Sequence, residues 1–250
     1  MLMKRFRVAT LNLERNEKRW EERRELIIQE VDRLQPDIFC LNEIWLPSQT
    51  SQWLQERALT ELRLNYRLVE QPRAAKASHP EAEAVLTRFP IIERSHRFFS
   101  QGDTVTLAVR LEIEGRMVDL YVTHLYPWKR EESERVAQVR ELLGWIKERD
   151  DADCQIVCGD CNATLESESM KLMAQEFRPT QSEPTAFTPL REVHGEPTHP
   201  DWTRFDRCID FIWISGSLRV GPGGLCFNQP AEGDSTLWPS DHIGVWADLE

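Results

Sequence analysis

Seven polar side chains stand where apolar, strand-like runs stop or begin: Asn12, Glu43, His124, Asp160, Asn162, Asp241 and His242. Asn12 follows Ala9-Thr10-Leu11, Glu43 follows Ile38-Phe39-Cys40-Leu41-Asn42, and His124 follows Tyr121-Val122-Thr123. Asp160 and Asn162 close Ile156-Val157-Cys158-Gly159-Asp160-Cys161-Asn162, while Ser240-Asp241-His242 opens the run 243–246. If these five strand ends lie side by side, carboxylates, amides and imidazoles share one site. A hard divalent ion such as Mg²⁺ takes one or two carboxylates plus water and substrate oxygens. Glu43 and Asp241 could supply those ligands, with Asn12 as a neutral neighbour. His242 could act as a base or donate to a phosphate, provided that a carboxylate fixes its tautomer. Asp241 is badly placed for that task, because neighbours in an extended chain point to opposite sides. Asp210, in Cys208-Ile209-Asp210-Phe211-Ile212-Trp213, is the better candidate.

Each of these residues alone has a plainer reading. Glu43 could cap the segment after it or pair with an arginine, and a lone histidine at a strand end is more often a satisfied core residue. Asp160 and Asn162 are also the vocabulary of a turn or helix cap. Ser240 is poorly suited as a nucleophile, since Ser-His-Asp catalysis needs groups converging from separate segments. The cysteines Cys154, Cys158 and Cys161 lack the second Cys-x-x-Cys that a structural zinc site wants, and read as small core hydrophobes.

The elements that must position these groups follow from periodicity. Residues 6–13, 37–43, 83–87, 91–99, 154–159, 209–215 and 243–249 read as strands, and 104–113 with 117–124 as a hairpin across Glu114-Gly115-Arg116. Helices are expected over 17–34, 51–62, 131–149 and 165–177, from apolar residues recurring near the 3.6 period. Residues 71–80 and 181–206 read as loops, and 221–224 as a turn. Each half runs strand, helix, strand, helix, hairpin, with no linker between, which favours one α/β domain over residues 1–250, with two sheets face to face and helices outside.

These segments, in this order, resemble the endonuclease/exonuclease/phosphatase superfamily, which includes deoxyribonuclease I, apurinic endonucleases, inositol-polyphosphate phosphatases and neutral sphingomyelinases. The pattern is found in Asn12, Asn42-Glu43, Thr123-His124-Leu125, Gly159-Asp160-Cys161-Asn162, Ile209-Asp210-Phe211 and Ser240-Asp241-His242. The resemblance implies a four-layered α/β sandwich, with two mixed β-sheets flanked by helices, and Mg²⁺- or Mn²⁺-dependent attack of water on a phosphate ester. It makes Glu43 the main metal ligand with Asn12 and Asp241 nearby, and gives His124 a phosphate oxygen. Asp160 and Asn162 would orient the nucleophile or bind phosphate, and Asp210 would orient His242, the general base or stabiliser of charge. Asn42 departs from the usual Gln, which bears on a supporting hydrogen bond, and Arg207 stands three residues before Asp210 where two is commoner.

Substrate choice is less legible. The ending Trp238-Pro239-Ser240-Asp241-His242-Ile243-Gly244-Val245-Trp246, with Arg204-Phe205-Asp206-Arg207 before it, is similar to tyrosyl-DNA phosphodiesterases. Among nine tryptophans, Trp45, Trp128 and Trp238 lie two, four and three residues from Glu43, His124 and Asp241. They either line the cleft rim, where they could stack on a base, or are ordinarily buried. A net charge of −11 argues against a broad basic face for duplex nucleic acid, although Arg73, Lys76, Lys129 and Arg130 offer local cations. The expected substrate is a phosphate ester at a nucleic-acid end, in single-stranded nucleic acid or in a nucleotide. Alternatives are a phospholipid headgroup or inositol phosphate, and a non-catalytic binding module on the same scaffold. No stretch resembles a signal peptide or membrane span, so the expectation is a cytoplasmic monomer.

Overall fold

The computed structural model describes residues 4–15, 17–73, 80–127, 132–149, 151–197, 206–215 and 218–250. Trp128 and the cations Lys76, Lys129 and Arg130 lie outside them.

Strands β1 (Phe6–Asn12), β2 (Ile38–Trp45), β3 (Arg67–Pro72), β4 (Glu81–Thr87), β11 (Val220–Cys226) and β12 (Gly244–Leu249) form one sheet, in the order β11-β12-β1-β2-β4-β3. The second sheet holds β5 (Ile91–Phe98), β6 (Val105–Ile113), β7 (Arg116–Thr123), β8 (Cys154–Asp160), β9 (Arg178–Pro179) and β10 (Asp210–Ile214), in the order β5-β6-β7-β8-β10-β9. Helices α1 (Trp20–Leu34) and α2 (Thr50–Leu62) cover the outer face of the first sheet, and α3 (Glu132–Lys147) with α4 (Glu168–Met173) covers the second. The four layers follow from strands that are apolar on both faces. Val8, Ile38, Cys40, Val122, Ile156 and Cys158 meet between the sheets, while Ala9, Leu11, Phe39 and Leu41 face α1 and α2.

The parallel pairs β1·β2 and β7·β8 sit at the centres of their sheets, with Asn12 opposite Asn42 and Val122 opposite Cys158. The C-terminal ends of these strands therefore share one rim. Antiparallel β10 begins at that rim, placing Asp210 in register with Asp160, and β12 begins there just after His242.

Three expectations change. Residues 67–72, not anticipated as regular structure, form the edge strand β3, paired with β4. The 221–224 turn is part of strand β11, where Gly223 allows close pairing: a Cβ there would lie 2.8 Å from the Trp246 carbonyl oxygen. The 165–177 helix shrinks to Glu168–Met173, capped by Ser167 Oγ accepting from the Met170 N–H. No helix among the described residues is long and apolar enough to cross a membrane. All six cysteines are free and buried, and burial pushes the thiols of Cys154 and Cys208 up to about 11 and about 12.

Candidate active site

Alternation along the strands aims the polar ends inward. Phe6 and Val8 face the space between the sheets, and so do Cys40, Val122, Ile156, Cys158, Ile212 and Ile214. Continuing each strand with period two brings Asn12, Asn42, His124, Asp160 and Asp210 to that same space, one step beyond the apolar core.

Glu43 is out of phase with this rule, and a β-bulge corrects it. The β2·β4 register shifts between Leu41 and Ile44, and Glu43 takes a left-handed φ of 57°. A non-glycine residue in that region is uncommon and strained, and bulges re-aim side chains beside functional sites. Glu43 Oε1 accepts from Asn12 Nδ2 at 3.1 Å and Oε2 from the Arg15 N–H at 2.8 Å.

Asn12 Nδ2 also donates to Asp160 Oδ2 at 3.1 Å, bridging the two carboxylates. Asp160 Oδ1 accepts the Asn162 N–H at 2.8 Å, and Asn162 Nδ2 donates to the Leu125 carbonyl at 3.0 Å. His242 Nδ1 lies 2.9 Å from Asp210 Oδ2, and His242 Nε2 is 3.8 Å from Asp160 Oδ2. His124 Nε2 is 3.6 Å from the same Asp160 oxygen and 3.9 Å from Glu43 Oε1. Asp241 is buried, and its carboxylate is felt electrostatically by both Glu43 and His242. Asp160, Asp210 and His242 offer ligand atoms within 4.8 Å of one another.

The electrostatics divide these groups. Burial pushes Glu43 up, but His124, Arg73 and the Asn12 hydrogen bond outweigh it and hold the carboxyl at about 2. Burial and the Arg73 charge drive His124 down to about 3, so near pH 7 the ring is neutral and Arg73 with Asn12 keeps Glu43 ionised. Burial, then the Asp210 charge, raises Asp160. Burial disfavours charge on His242, yet Asp210, Asp241 and Asp160 overcome it and raise its pKa well above the ordinary value.

Supporting residues come both from within the motifs and from the 181–206 loop, which carried none. Asn42, the departure from Gln, staples the sheets together: its Oδ1 accepts the Asp160 N–H at 2.9 Å and its Nδ2 donates to the Thr123 carbonyl at 3.0 Å and Glu83 Oε2 at 2.5 Å. Thr185, within the 181–206 loop, accepts both the Ile209 and Asp210 N–H groups at 3.1 Å. Thr188 Oγ1 donates to the Ser240 carbonyl at 2.6 Å, and Ser240 Oγ donates to the Asn12 carbonyl at 2.6 Å, so Ser240 is a brace. Phe187 meets the His242 ring edge-on at 5.0 Å and carries the Arg207 guanidinium 5.0 Å from its face. Beside Asn162 a cavity of about 390 Å³ opens, lined by Thr164, Ser167, Phe187, Arg207 and Arg135 among others. The Pro-Thr pair at 184–185 and the aromatic at 187 were the sequence signals available for this loop. Trp45 and Trp238 are half-buried, and Trp238 Nε1 donates to the Ser235 carbonyl at 2.9 Å.

Residues 9–242 match the model of the Endonuclease/Exonuclease/phosphatase family. Nocturnin of Xenopus laevis is 28% identical over 258 residues, which covers 92% of this chain but only 65% of that relative's length. The structure of the human Nocturnin catalytic domain with bound sulfate anion aligns with 100% of this chain and 95% of that one, at a TM-score of 0.74 and 26% identity. D. rerio TDP2 complexed with single-strand DNA product has a TM-score of 0.78 over 99% of each chain at 19% identity, a likeness of fold.

Proposed function

This chain belongs to the endonuclease/exonuclease/phosphatase family of metal-dependent phosphoester hydrolases, and from that premise we propose that it cleaves a phosphodiester at a nucleic-acid end or in a nucleotide, using Mg²⁺ or Mn²⁺. The observation that carries the reading is the convergence of Asn12, Glu43, His124, Asp160, Asp210 and His242 on one rim, linked by the hydrogen bonds and close approaches described above. A decayed, purely binding copy of the scaffold would not be expected to keep every member.

The donor set fits a hard cation. Glu43 stays ionised near neutral pH and keeps 16% of its side chain exposed, beside the Asn12 amide and near Asp241. His242 is committed to Asp210 and carries positive charge, so oxygen donors on the Glu43 side suit Mg²⁺ or Mn²⁺ better than the Asp160–Asp210–His242 group. A cation bound there would polarise the phosphoryl group and offset its negative charge.

The remaining work falls to side chains. Asp160, held by the Asn12 and Asn162 donors, orients the attacking water, and its ionised form, which grows as pH rises toward about 8, takes that water's proton. The His242 imidazolium, oriented through Nδ1 by Asp210, presents Nε2–H to a phosphoryl oxygen. His124 offers a second Nε2 donor from the opposite strand. The cavity with Phe187 and Arg207 is of a size to receive a nucleoside, offering an aromatic ring beside a cation, and favours a nucleotide-type leaving group over a lipid headgroup.

Hydrolysis of bis-p-nitrophenyl phosphate with Mg²⁺ or Mn²⁺, abolished by EDTA and by His242→Ala, is the expected result. A panel of DNA ends, nucleotides, sphingomyelin and inositol phosphates then assigns the substrate. Inertness toward the whole panel with every metal would end the enzymatic reading.

A further inference from the structure

We propose that Arg73 is a positioning residue that sets the tautomer of His124, fixing its Nε2–H as a donor aimed at the phosphoryl oxygen. The tautomer rests on geometry alone, while its consequence for turnover rests on the reaction proposed above. Arg73 follows the last residue of β3, and its N–H donates to the Glu81 carbonyl at 2.9 Å, which carries the β3·β4 pairing one step further. Two carboxylates that are almost wholly buried clamp its guanidinium: Glu81 Oε2 is 3.1 Å from Nη1, and Glu83 Oε1 is 3.5 Å from Nη2. Glu83 is fixed in turn by Asn42, the residue that binds the Asp160 N–H.

So held, Arg73 Nη2 sits 2.5 Å from His124 Nδ1. A guanidinium has only donors, so Nδ1 must accept, and the ring proton must be on Nε2. That nitrogen faces Asp160 Oδ2 at 3.6 Å and Glu43 Oε1 at 3.9 Å, the side from which a phosphate would be met. The two imidazoles of the site are thus set by opposite devices, His242 by a carboxylate at Nδ1 and His124 by a cation at Nδ1. Glu83 Oε1 is also only 4.0 Å from His124 Nδ1. Without Arg73, Glu83, once ionised on the alkaline side, would attract an Nδ1–H, and the Nε2 lone pair would then point at the substrate's own oxygens.

Long-range ¹H–¹⁵N correlation spectra of ¹⁵N-histidine-labelled, EDTA-treated protein, assigned with His124→Gln and followed up to about pH 10 so that Glu83 is ionised, read the tautomer directly. Wild type should show His124 protonated on Nε2, Arg73→Met should show it on Nδ1, and Arg73→Met with Glu83→Gln should return it to Nε2. With bis-p-nitrophenyl phosphate and Mn²⁺, Arg73→Met should lower kcat by about 100-fold, the scale of losing one preorganised donor. KM should move by less than about threefold, because a ground-state contact is not what is removed. An Nε2–H tautomer persisting in well-folded Arg73→Met overturns the proposal, and so does Nδ1–H in wild type. If Arg73→Met does not fold, Arg73→Lys, which keeps a donor, must retain Nε2–H, and Nδ1–H there is equally fatal. A tautomer that swaps in a wild-type-inert protein would fault the reaction while sparing Arg73's role. Active wild type with an unmoved tautomer would do the reverse.

Discussion

Asp160 and Asp210 face each other across a β8·β10 register pair, both buried, and only one of them is hydrogen-bonded to an imidazole. That asymmetry separates their tasks, since pairs of acids in one site are useful when their environments push them apart. Asp210→Asn tests the division because it keeps shape while removing charge. An amide facing Nδ1 can present its donor there and favour the wrong tautomer of His242, so kcat should fall by about 10³- to 10⁴-fold, as expected when a triad's orienting carboxylate is lost. The pH profile carries a second signature. Burial lowers the His242 pKa and Asp210 is the leading group that raises it, so the variant's pKa must drop. Activity that needs the imidazolium is lost as pH rises through that pKa, and the alkaline limb of kcat/KM should therefore move to lower pH. An alkaline limb at the wild-type position in Asp210→Asn would show that the charge on His242 is irrelevant to turnover.

At the scale of elements, the site is held by strand parity, one bulge and two braces, and these differ in how far the sequence reveals them. Strand ends at Asn12, His124 and Asp160 were legible because apolar runs stop abruptly there, Asp210 because His242 needs a carboxylate that its neighbour Asp241 cannot supply, and period two places all four on one side. The bulge at Glu43 was not, since continuous apolar residues give no phase, and the shift arises from pairing with the distant β4. The edge strands β3 and β11 were missed for a related reason: a mixed Arg67–Pro72 and a glycine-rich Val220–Cys226 become strands through the partner they pair with. Arg73 and Thr185 lay in apparent loops, where only the fold supplies their contacts. Helix α1 adds a brace no motif announces: fully buried Arg23 donates to the carbonyls of Lys18, Leu13 and Pro239 at 2.7, 2.8 and 3.1 Å, tying the segment after Asn12 to the one before Asp241. Arg23→Met strands those carbonyls and leaves buried Glu14 without its nearest arginine, so it should cost about 3–5 kcal/mol in urea unfolding. Loss of under about 1 kcal/mol would mean that the carbonyls find water instead. Gly159→Ala probes the sheet-to-sheet contact, because a Cβ there would stand 2.1 Å from the Thr123 carbonyl oxygen at a φ of +128°. Its expected cost is at least about 2 kcal/mol, with kcat falling as Asp160 shifts.

For the whole molecule, a chain of net charge −11 concentrates further acid in one buried rim, and that concentration should govern stability as well as catalysis. Burial, with Asp241 next, raises Glu14 to about 7, and burial raises Glu83 to about 7 against the pull of Arg73. For either group, the folded protein holds a proton between about pH 4.5 and 7 that the unfolded chain has released, so stability is full below that window and is lost as pH rises through it. Each contributes at most roughly 3 kcal/mol of slope across the window. His242, raised above its ordinary value, has the same sign and extends the decline upward. Glu43, held at about 2, has the opposite sign and loses its stabilisation only as pH falls below about 4.5. Asp160, raised to about 8, has that sign too, so the metal-free protein should be most stable near pH 5, with its urea midpoint falling toward pH 8, and Glu14→Gln with Glu83→Gln should lessen that fall. Bound cation competes with these protons, so 10 mM-scale Mg²⁺ should raise the midpoint more at pH 8 than at pH 5, by the linkage between ligand binding and folding. Equal Mg²⁺ stabilisation at both pH values would mean that the ion binds away from the acid rim, and a flat midpoint in EDTA would mean that Glu14, Glu83 and Asp160 all titrate as exposed carboxylates do.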